Sequence, residues 1–505
     1  MKKYSYILYL IFASMTISSC SDWLNVKPDT QVEEDDMFKS YQGYRSALTG
    51  CYMALASTNI YGEKLTMTNI ESLADLWYMT DGSSHPDDYN LMNHNYTQDD
   101  AKSAIKSIYS DLFNVIVQAN MIIKHIDKST VFESEAKRKV IEGEAYALRA
   151  VCQMDVLRLF GQMPQNATKQ VSLPYSESSS INDMPAYYAY NDYVKKLQAD
   201  FDMALSLLKD NDPIFNSSFY DLSYPSSTTD DTYTYYRQFR LNYWAVMGMQ
   251  ARLALYLGDT TKAHDLAMSI INAKGSDGNA VRTLSGVSDL TAGFYNLPSE
   301  CLFSLSKYNI LSYTSSYFLG NGTSNESLNK HYCISNNMFT NIFQGTNISS
   351  NNRYLYVWNN QAKISTGVQY PTITKYYYTT TTSSSSTSNA MLKNQVIPML
   401  RMSEIYLIAL ETTTDLTEAN SLYKTYMESQ NELITADKFA SLDEVKTIIT
   451  SLYLREFYGE GIMFYTHKRM GTNSLQKNYS EKEEMSESQY IIPLPDTEYD
   501  PANLK

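Results

Sequence analysis

Apolar residues in three long parts of the chain recur at every third or fourth position, which is the spacing of one buried face of an α-helix. The clearest example runs through Ile141, Ala145 and Leu148 and ends before Gly161, a residue type that commonly follows a helix. On this pattern we predict helices within 100–160, 188–273 and 398–471.

Small residues and tight turns indicate that these helices pair. Gly248 and Ala251 allow one helix to lie close to a neighbour, and Gly258 with Asp259 turns the chain into the next apolar face. A helix, a short turn and a second helix are typical of tetratricopeptide repeats. The sequence therefore predicts an all-α fold, with a scaffold of tetratricopeptide-like helix pairs.

The helical spacing fades between residues 274 and 397. This part is rich in Thr, Ser, Asn and Tyr, contains the low-complexity run 379–389, and alternates like a strand over 353–358. We expect an irregular, loop-rich region with a few short strands that covers the scaffold. Because binding residues concentrate on loops held by a rigid scaffold, we expect this region to bind the ligand.

The N-terminal segment predicts export and a lipid anchor. Two lysines precede a short apolar run, and small residues then lead to Cys20, in the order of a lipoprotein signal peptide. The apolar run is shorter than the roughly 20 residues that a membrane-spanning helix needs. We expect a signal peptide over 1–19, a lipid on Cys20, a polar tether over 20–35 and a single body over 36–505. Contact with the membrane would be through the lipid only.

Charge and the known catalytic motifs narrow the function classes. The chain has 55 acidic and 41 basic residues and a net charge of -14, which argues against nucleic acid as a partner. The six histidines form no HExxH motif, and no nucleophile elbow, phosphate-binding loop or dinucleotide fingerprint is present. A pair of acids at glycosidase spacing would leave no motif. We predict a binding protein with no catalytic residues, no metal and no cofactor.

Four cysteines follow Cys20, and their spacing fits neither a metal site nor a disulfide scaffold. In an oxidising compartment, Cys301 and Cys333 either pair with each other or stay as buried thiols. The sequence leaves both alternatives open.

Tyrosine is the compositional outlier, with 44 copies against 17 phenylalanines and 4 tryptophans. A pyranose presents an apolar face and a rim of hydroxyls, so a sugar site needs exposed aromatic rings beside polar side chains. Two parts of the chain, one near residues 77–96 and one within 295–358, offer both. The candidate ligand-binding residues are Trp77, Asp81, Tyr89, Tyr295, Tyr317, Tyr332, Arg353 and Trp358.

Two of these candidates have an alternative interpretation as core residues. Trp77 fits the apolar face of a predicted helix over 66–79. Trp358 ends the alternating run and faces either the ligand or the interior. The sequence leaves open which rings are exposed.

Short motifs in a fixed order resemble the SusD/RagB lipoproteins of Bacteroidetes over nearly the whole length. They are CSDWLNVKP at 20–28, EAYALRA at 144–150, RMSEIYL at 401–407, REF at 455–457 and IPLP at 492–495. Each motif is short, but the ordered set is specific. Within the third motif, Arg401 and Glu404 stand three apart on a predicted helix, and we expect them to hold the scaffold rather than the ligand.

The resemblance implies a function and a location. It implies a SusD-like lipoprotein on the extracellular face of the outer membrane that captures oligosaccharide or polysaccharide. The implied partner is a SusC-like TonB-dependent transporter, which takes up the glycan. The alternative is capture of a peptide or glycopeptide for the same kind of transporter, as in the RagB branch. In this family the ligand lies on loops from the same two parts of the chain.

Overall fold

The computed structural model of the chain describes residues 34–167, 172–180, 183–226, 228–229, 231–318, 330–360, 368–376, 395–478 and 482–499. The predicted signal peptide, Cys20, most of the tether and the low-complexity run 379–389 lie outside these residues. Among the residues that are described, no helix is both long enough and apolar enough to cross a membrane.

Helices make up most of the regular structure, and the strands are short. The helices are α1 (Glu34–Met37), α2 (Tyr41–Leu55), α3 (Asn69–Leu73), α4 (Pro86–Met92), α5 (Asp99–Ile126), α6 (Glu135–Phe160), α7 (Tyr190–Leu208), α8 (Tyr243–Leu257), α9 (Thr260–Asn272), α10 (Val287–Thr291), α11 (Leu311–Phe318), α12 (Asn336–Ile342), α13 (Asn352–Tyr356), α14 (Met402–Thr412), α15 (Leu416–Ser429), α16 (Leu442–Phe457), α17 (Met463–Met470) and α18 (Glu487–Tyr490). The strands are β1 (Leu173–Tyr175), β2 (Ala186–Tyr188), β3 (Cys301–Ser306), β4 (Trp358–Asn359), β5 (Thr372–Ile373), β6 (Val396–Arg401), β7 (Ser474–Leu475) and β8 (Glu483–Glu484).

The long helices pack in sequence and form the scaffold. Helix α5 packs against α6, α6 against α7, α8 against α9, and α9 against α14. The prediction of an all-α fold built from tetratricopeptide-like pairs under an irregular cover is confirmed.

Close packing at Gly248 and the turn at Gly258 follow the sequence pattern. A Cβ atom on Gly248 would lie 2.5 Å from a methyl carbon of Leu400, so the glycine leaves room for this side chain where α8 approaches β6. Gly258 ends α8 with φ of 80°, a left-handed conformation that glycine adopts without strain. Asp259 then caps α9, because its side chain accepts a hydrogen bond from the Lys262 amide.

Paired strands cross the cover in two-stranded antiparallel sheets. The longest pair, β3 with β6, is almost entirely buried, and β6 runs directly into α14. Strand β4 pairs with β5, so that Trp358 lies opposite Ile373.

Two segments, 353–358 and 66–79, do not have the secondary structure that the sequence predicts. The run 353–358 is mostly helical, because Asn351 caps α13 by accepting a hydrogen bond from the Tyr354 amide at 3.0 Å. This cap overrides the β-propensity of the run, and only its last residue begins β4. The helix predicted over 66–79 is confined to Asn69–Leu73, and soon afterwards Asp75 takes a left-handed backbone conformation with φ of 55°.

A cluster of buried ion pairs, which we call the charge hub, fastens the cover to the scaffold. Its members are three cations and three carboxylates: Arg353, Lys375, Arg401, Glu300, Glu456 and Glu460. Arg401 binds all three glutamates, Arg353 binds Glu456 and Lys375 binds Glu460. Burial alone would raise the pKa of Glu456, but the neighbouring guanidinium and ammonium groups hold it well below its usual value.

The four cysteines within the described residues are unpaired and buried. Cys301 lies at the start of β3, where its thiol contacts the Leu297 carbonyl at 3.5 Å. Burial raises the pKa of this thiol to about 12. Of the two alternatives for Cys301 and Cys333, the structure therefore has the buried thiols.

Candidate ligand-binding surface

The two parts of the sequence that carry the candidate aromatic residues lie against each other. The Tyr78 amide donates a hydrogen bond of 2.8 Å to the Cys333 carbonyl. The rings of His85 and Tyr332 lie 4.7 Å apart, and the ring of Tyr317 meets His85 edge-on at 5.9 Å. One surface therefore unites residues that are more than 200 positions apart in the chain.

Five half-buried rings form this surface, which we call the aromatic platform: Tyr78, His85, Tyr313, Tyr317 and Tyr370. Tyr313 and Tyr317 are four residues apart on α11, so they share one face of the helix, and their ring centroids are 5.8 Å apart. Tyr78 and Tyr370 form a second pair, with 5.5 Å between their centroids. The platform thus offers adjacent ring faces, each partly open to solvent.

The tyrosine hydroxyls of α11 are directed inward and fix the rings. Tyr313 donates to the Gly62 carbonyl at 2.6 Å, and Tyr317 donates to the Glu63 carboxylate at 3.1 Å. From below, Thr314 donates to the Tyr376 carbonyl at 2.8 Å. Because the polar ends are held by the protein, the ring faces are what α11 presents outward.

Buried carboxylates lie beneath the platform. Asp88 accepts hydrogen bonds from Asn69 at 2.7 Å, from Ser72 at 2.9 Å and from Tyr332 at 2.5 Å. Burial, with a smaller contribution from Asp87, raises the pKa of Asp88 to about 6.

Glu63 is the second acid of this group. Burial raises its pKa to about 7, although the hydrogen bond from Tyr317 acts in the opposite direction. Because both pKa values are raised, these two acids near the rings carry less negative charge at neutral pH than exposed carboxylates do.

Asp81 and Tyr89 lie at one edge of the surface. Asp81 is exposed, and its carboxylate accepts a hydrogen bond of 2.8 Å from the Ser83 amide, which shapes the turn before α4. Tyr89 is half-buried on α4, close to the same turn, since a Cβ on Gly82 would lie 3.3 Å from Tyr89. Both remain candidates for ligand contact.

Trp77 and Trp358 are buried, and their rings belong to the core. Trp77 has no exposed surface, and its indole N–H donates to the Met67 carbonyl at 2.9 Å. Trp358 packs on Phe339 at 5.2 Å and on Tyr458 at 5.0 Å between centroids. Rings that are buried in this way leave no face open to a sugar, so in this structure the alternative interpretation holds for both tryptophans.

The remaining three candidates have different positions. Tyr332 is buried and supports the platform from beneath, between His85 and Asp88. Arg353 is also buried, as a member of the charge hub, which removes it from direct ligand contact. Tyr295 is half-buried on the main core, in the segment between α10 and β3.

Four platform residues were not among the sequence candidates. Tyr313 could have been found, because it precedes Tyr317 by one helical turn. Tyr78 directly follows the candidate residue Trp77 in the sequence. Nothing in the local pattern marks His85 or Tyr370, which join the surface only through the tertiary fold. No group of histidine, cysteine and acidic side chains in the described residues is arranged to hold a metal ion.

Comparison with known proteins gives relatives in sequence. No protein-family profile matches the chain. It is 24% identical over 274 residues to SusD-like protein P2 of Formosa agariphila, and this alignment covers 54% of this chain and 46% of the relative. It is 28% identical over 167 residues to SusD-like protein P38 of the same bacterium, and this alignment covers 32% of this chain and 31% of the relative. The matched part thus spans between about a third and a half of these relatives.

Solved structures are similar over nearly the whole chain. A SusD superfamily protein from Bacteroides thetaiotaomicron aligns with a TM-score of 0.67 and 18% identity, covering 92% of this chain and 98% of that one. Surface glycan-binding protein A from Bacteroides fluxus aligns with a TM-score of 0.65 and 16% identity, covering 91% and 96%. At such identities the similarity establishes a shared fold.

Proposed function

We propose that this chain is a SusD-like protein that binds a carbohydrate at the aromatic platform and acts as a binding protein rather than an enzyme. The observation that carries the proposal is the set of half-exposed rings on α11 and its neighbours, with the hydroxyls of Tyr313 and Tyr317 held by the protein. Such rings present flat apolar faces, which suit the C–H face of a pyranose. The names of the structural neighbours, among them a SusD-like carbohydrate-binding protein from Bacteroides vulgatus, support the same ligand class.

The expected affinity is modest. Each aromatic contact contributes about 0.5–1.5 kcal/mol beyond burial, and two or three rings with several hydrogen bonds would supply about 4–8 kcal/mol. That range corresponds to dissociation constants between about millimolar and micromolar. Exposed Asp81 is positioned at the edge to accept hydrogen bonds from sugar hydroxyls.

We propose that the protein works at the cell surface. The lipoprotein signal ending at Cys20 would attach it to the outer membrane, with the platform on the extracellular side. A SusC-like TonB-dependent transporter would then receive the bound glycan. The alternative ligand, a peptide or glycopeptide, would use the same surface and the same kind of transporter.

A binding array of glycans and peptides, probed with the protein that begins after the signal peptide, separates the two ligand classes. We expect neutral glycans to bind and peptides to give no signal. Binding of peptides alone would replace the carbohydrate proposal with the alternative.

Two variants of Tyr317 then test the platform by calorimetric titration with the best-scoring glycan. Tyr317→Ala removes the ring and should weaken binding about tenfold, or about 1.4 kcal/mol. Tyr317→Phe keeps the ring but loses the bond to Glu63, and should bind nearly as well as the wild type. Tyr220→Ala serves as a control, because Tyr220 is 74% exposed on another loop. Normal binding by Tyr317→Ala would place the site elsewhere.

A further inference from the structure

A polar pocket of 400 Å³ lies between α12 and the segment 476–478. The residues that line it include Asn337, Met338, Asn341, Gln476, Lys477 and Asn478. A pocket of this volume is large enough to admit a ligand group of small-molecule size.

Chain connections place this pocket at the Tyr370 end of the platform. Helix α12 contributes Asn337 and Asn341 to the pocket. Asn336 is the first residue of α12, and its side chain donates a hydrogen bond of 3.1 Å to the Gln369 carbonyl. Tyr370 is the next residue after Gln369 in the chain. Because consecutive Cα atoms are about 3.8 Å apart, the lining of the pocket begins within a few ångströms of that hydrogen bond.

The floor of the pocket is rigid. Asn478 is buried, accepts a hydrogen bond of 2.9 Å from the Ser335 amide and donates one of 2.9 Å to the Asp75 carbonyl. Met338 is also buried and gives the floor an apolar patch. A fixed floor of this kind costs little to organise when a ligand binds.

The exposed side chains at the rim are the hydroxyl of Thr340 and three side-chain amides. Asn337, Asn341 and Gln476 are exposed. The amides of Asn337 and Asn341 form no hydrogen bond within the part of the chain that the structure describes. Each amide combines an acceptor oxygen with two donor hydrogens, which matches sugar hydroxyls that both donate and accept.

The charge of the pocket is already compensated. Its cation, Lys477, forms an ion pair of 2.8 Å with Glu483. A carboxylate or sulfate on a sugar would have to compete with Glu483 for this ammonium group. The pocket therefore favours a neutral sugar unit.

We propose that this pocket is a second subsite, which binds a neutral sugar unit of the same chain whose neighbouring units stack on the aromatic platform. The inference rests on the proposed carbohydrate function and narrows its ligand to a neutral oligosaccharide long enough to reach both subsites. The rings of the platform stack on the neighbouring sugar units, and the amides of the pocket form hydrogen bonds with the hydroxyls of the unit that the pocket binds.

Calorimetric titration with short and long members of the gluco-, xylo- and manno-oligosaccharide series tests the inference, with oligogalacturonates as the anionic comparison. In the wild type, affinity should rise with chain length. The double variant Asn337→Ala/Asn341→Ala should lose about tenfold in affinity for long members and keep its affinity for short ones. Asn272→Ala, which changes an exposed asparagine at the end of α9, is the matched control. Melting temperatures should be the same for all three proteins, because the changed side chains are exposed.

The outcomes separate the subsite from the proposed function. If Tyr317→Ala weakens binding of every member but the double variant binds long members like the wild type, the platform stands and the subsite is wrong. If oligogalacturonates bind as tightly as neutral chains, the charge argument fails and the inference is overturned. If the wild type binds no member and no other carbohydrate on the array, the proposed function itself is wrong.

Discussion

Arg401 and Glu404 lie three residues apart, yet each belongs to a different buried ion pair. Arg401 is the last residue of β6 and binds the three glutamates of the charge hub. Glu404 lies in α14 and accepts two hydrogen bonds of 2.6 Å from Arg252 on α8. The predicted placement of both on one helix is therefore wrong, whereas both side chains are buried in the scaffold, as expected.

Glu404→Ala should strongly destabilise the protein and leave binding by the folded fraction unchanged. The variant leaves the Arg252 guanidinium buried without its partner, which typically costs about 3–5 kcal/mol. Urea unfolding measures the loss, and calorimetric titration measures the affinity. Lys195→Ala is the control, because its pair with Asp192 is exposed and should change stability by about 0–1 kcal/mol. Loss of affinity at wild-type stability would assign Glu404 to the ligand instead.

Trp77→Ala and Trp358→Ala should each reduce stability rather than affinity. Both side chains are buried, and removing such a ring leaves a cavity that costs about 3–5 kcal/mol. Thermal unfolding followed by circular dichroism measures the effect, and titration of the folded protein gives the affinity. A variant with the melting temperature of the wild type but weaker binding would show that the replaced tryptophan contacts the ligand.

The contribution of Glu71 and Asp75 to stability should fall as the pH rises from about 4 to about 8. Burial raises the pKa of Glu71 to about 8, although the Gly459 and Gly461 amides bond to its carboxylate, and burial likewise raises the pKa of Asp75 to about 8. In the unfolded chain, Asp and Glu titrate near pH 4. Between the two values the folded state binds more protons, so the stability that these groups contribute is complete below about pH 4 and is lost by about pH 8.

Asp75→Asn tests this pH dependence. The carboxylate oxygens of Asp75 are buried without a hydrogen-bond partner, and asparagine tolerates its left-handed backbone. Urea unfolding at about pH 5 and about pH 8.5 should show a smaller difference for the variant than for the wild type, by an amount on the order of a few kcal/mol. Asp437→Asn changes an exposed acid and should keep the wild-type difference. An unchanged pH dependence in Asp75→Asn would show that Asp75 does not titrate in this range.

Cys20→Ala should release the protein from membranes without unfolding its body. The predicted attachment is a covalent lipid on this residue, at the end of a tether that precedes the folded part. Cell fractionation and incorporation of labelled fatty acid measure the two effects, with Cys51→Ala, which changes a buried thiol, as the control. Membrane retention of the Cys20 variant, or equal label in both proteins, would contradict the lipoprotein prediction.

The helical scaffold could be predicted because its signals are local. Gly258 and Asp259 act within a few residues of their own positions, and the apolar spacing of α6 needs no distant partner. The prediction of a strand over 353–358 is wrong for a local reason, because the helix cap formed by Asn351 outweighs the weak β-propensity of this run.

The candidate site could be predicted only in part, because exposure is decided by tertiary packing. Trp77 and Tyr317 are both aromatic residues near polar neighbours, and no local pattern separates the buried ring from the half-exposed one. His85 joins the platform through Tyr332, which is about 250 positions away. Contacts of that range leave no periodic trace in one sequence.

The charge hub has a consequence for the thermodynamics of capture. Through Lys375, the hub holds the segment 368–376 against the scaffold, and that segment carries Tyr370 at one end and binds Thr314 of α11 at the other. The rings on both sides are therefore held in place by the folded protein before a ligand of the proposed kind binds. Association then loses little conformational entropy from the protein, so that a few weak stacking contacts are sufficient for useful affinity.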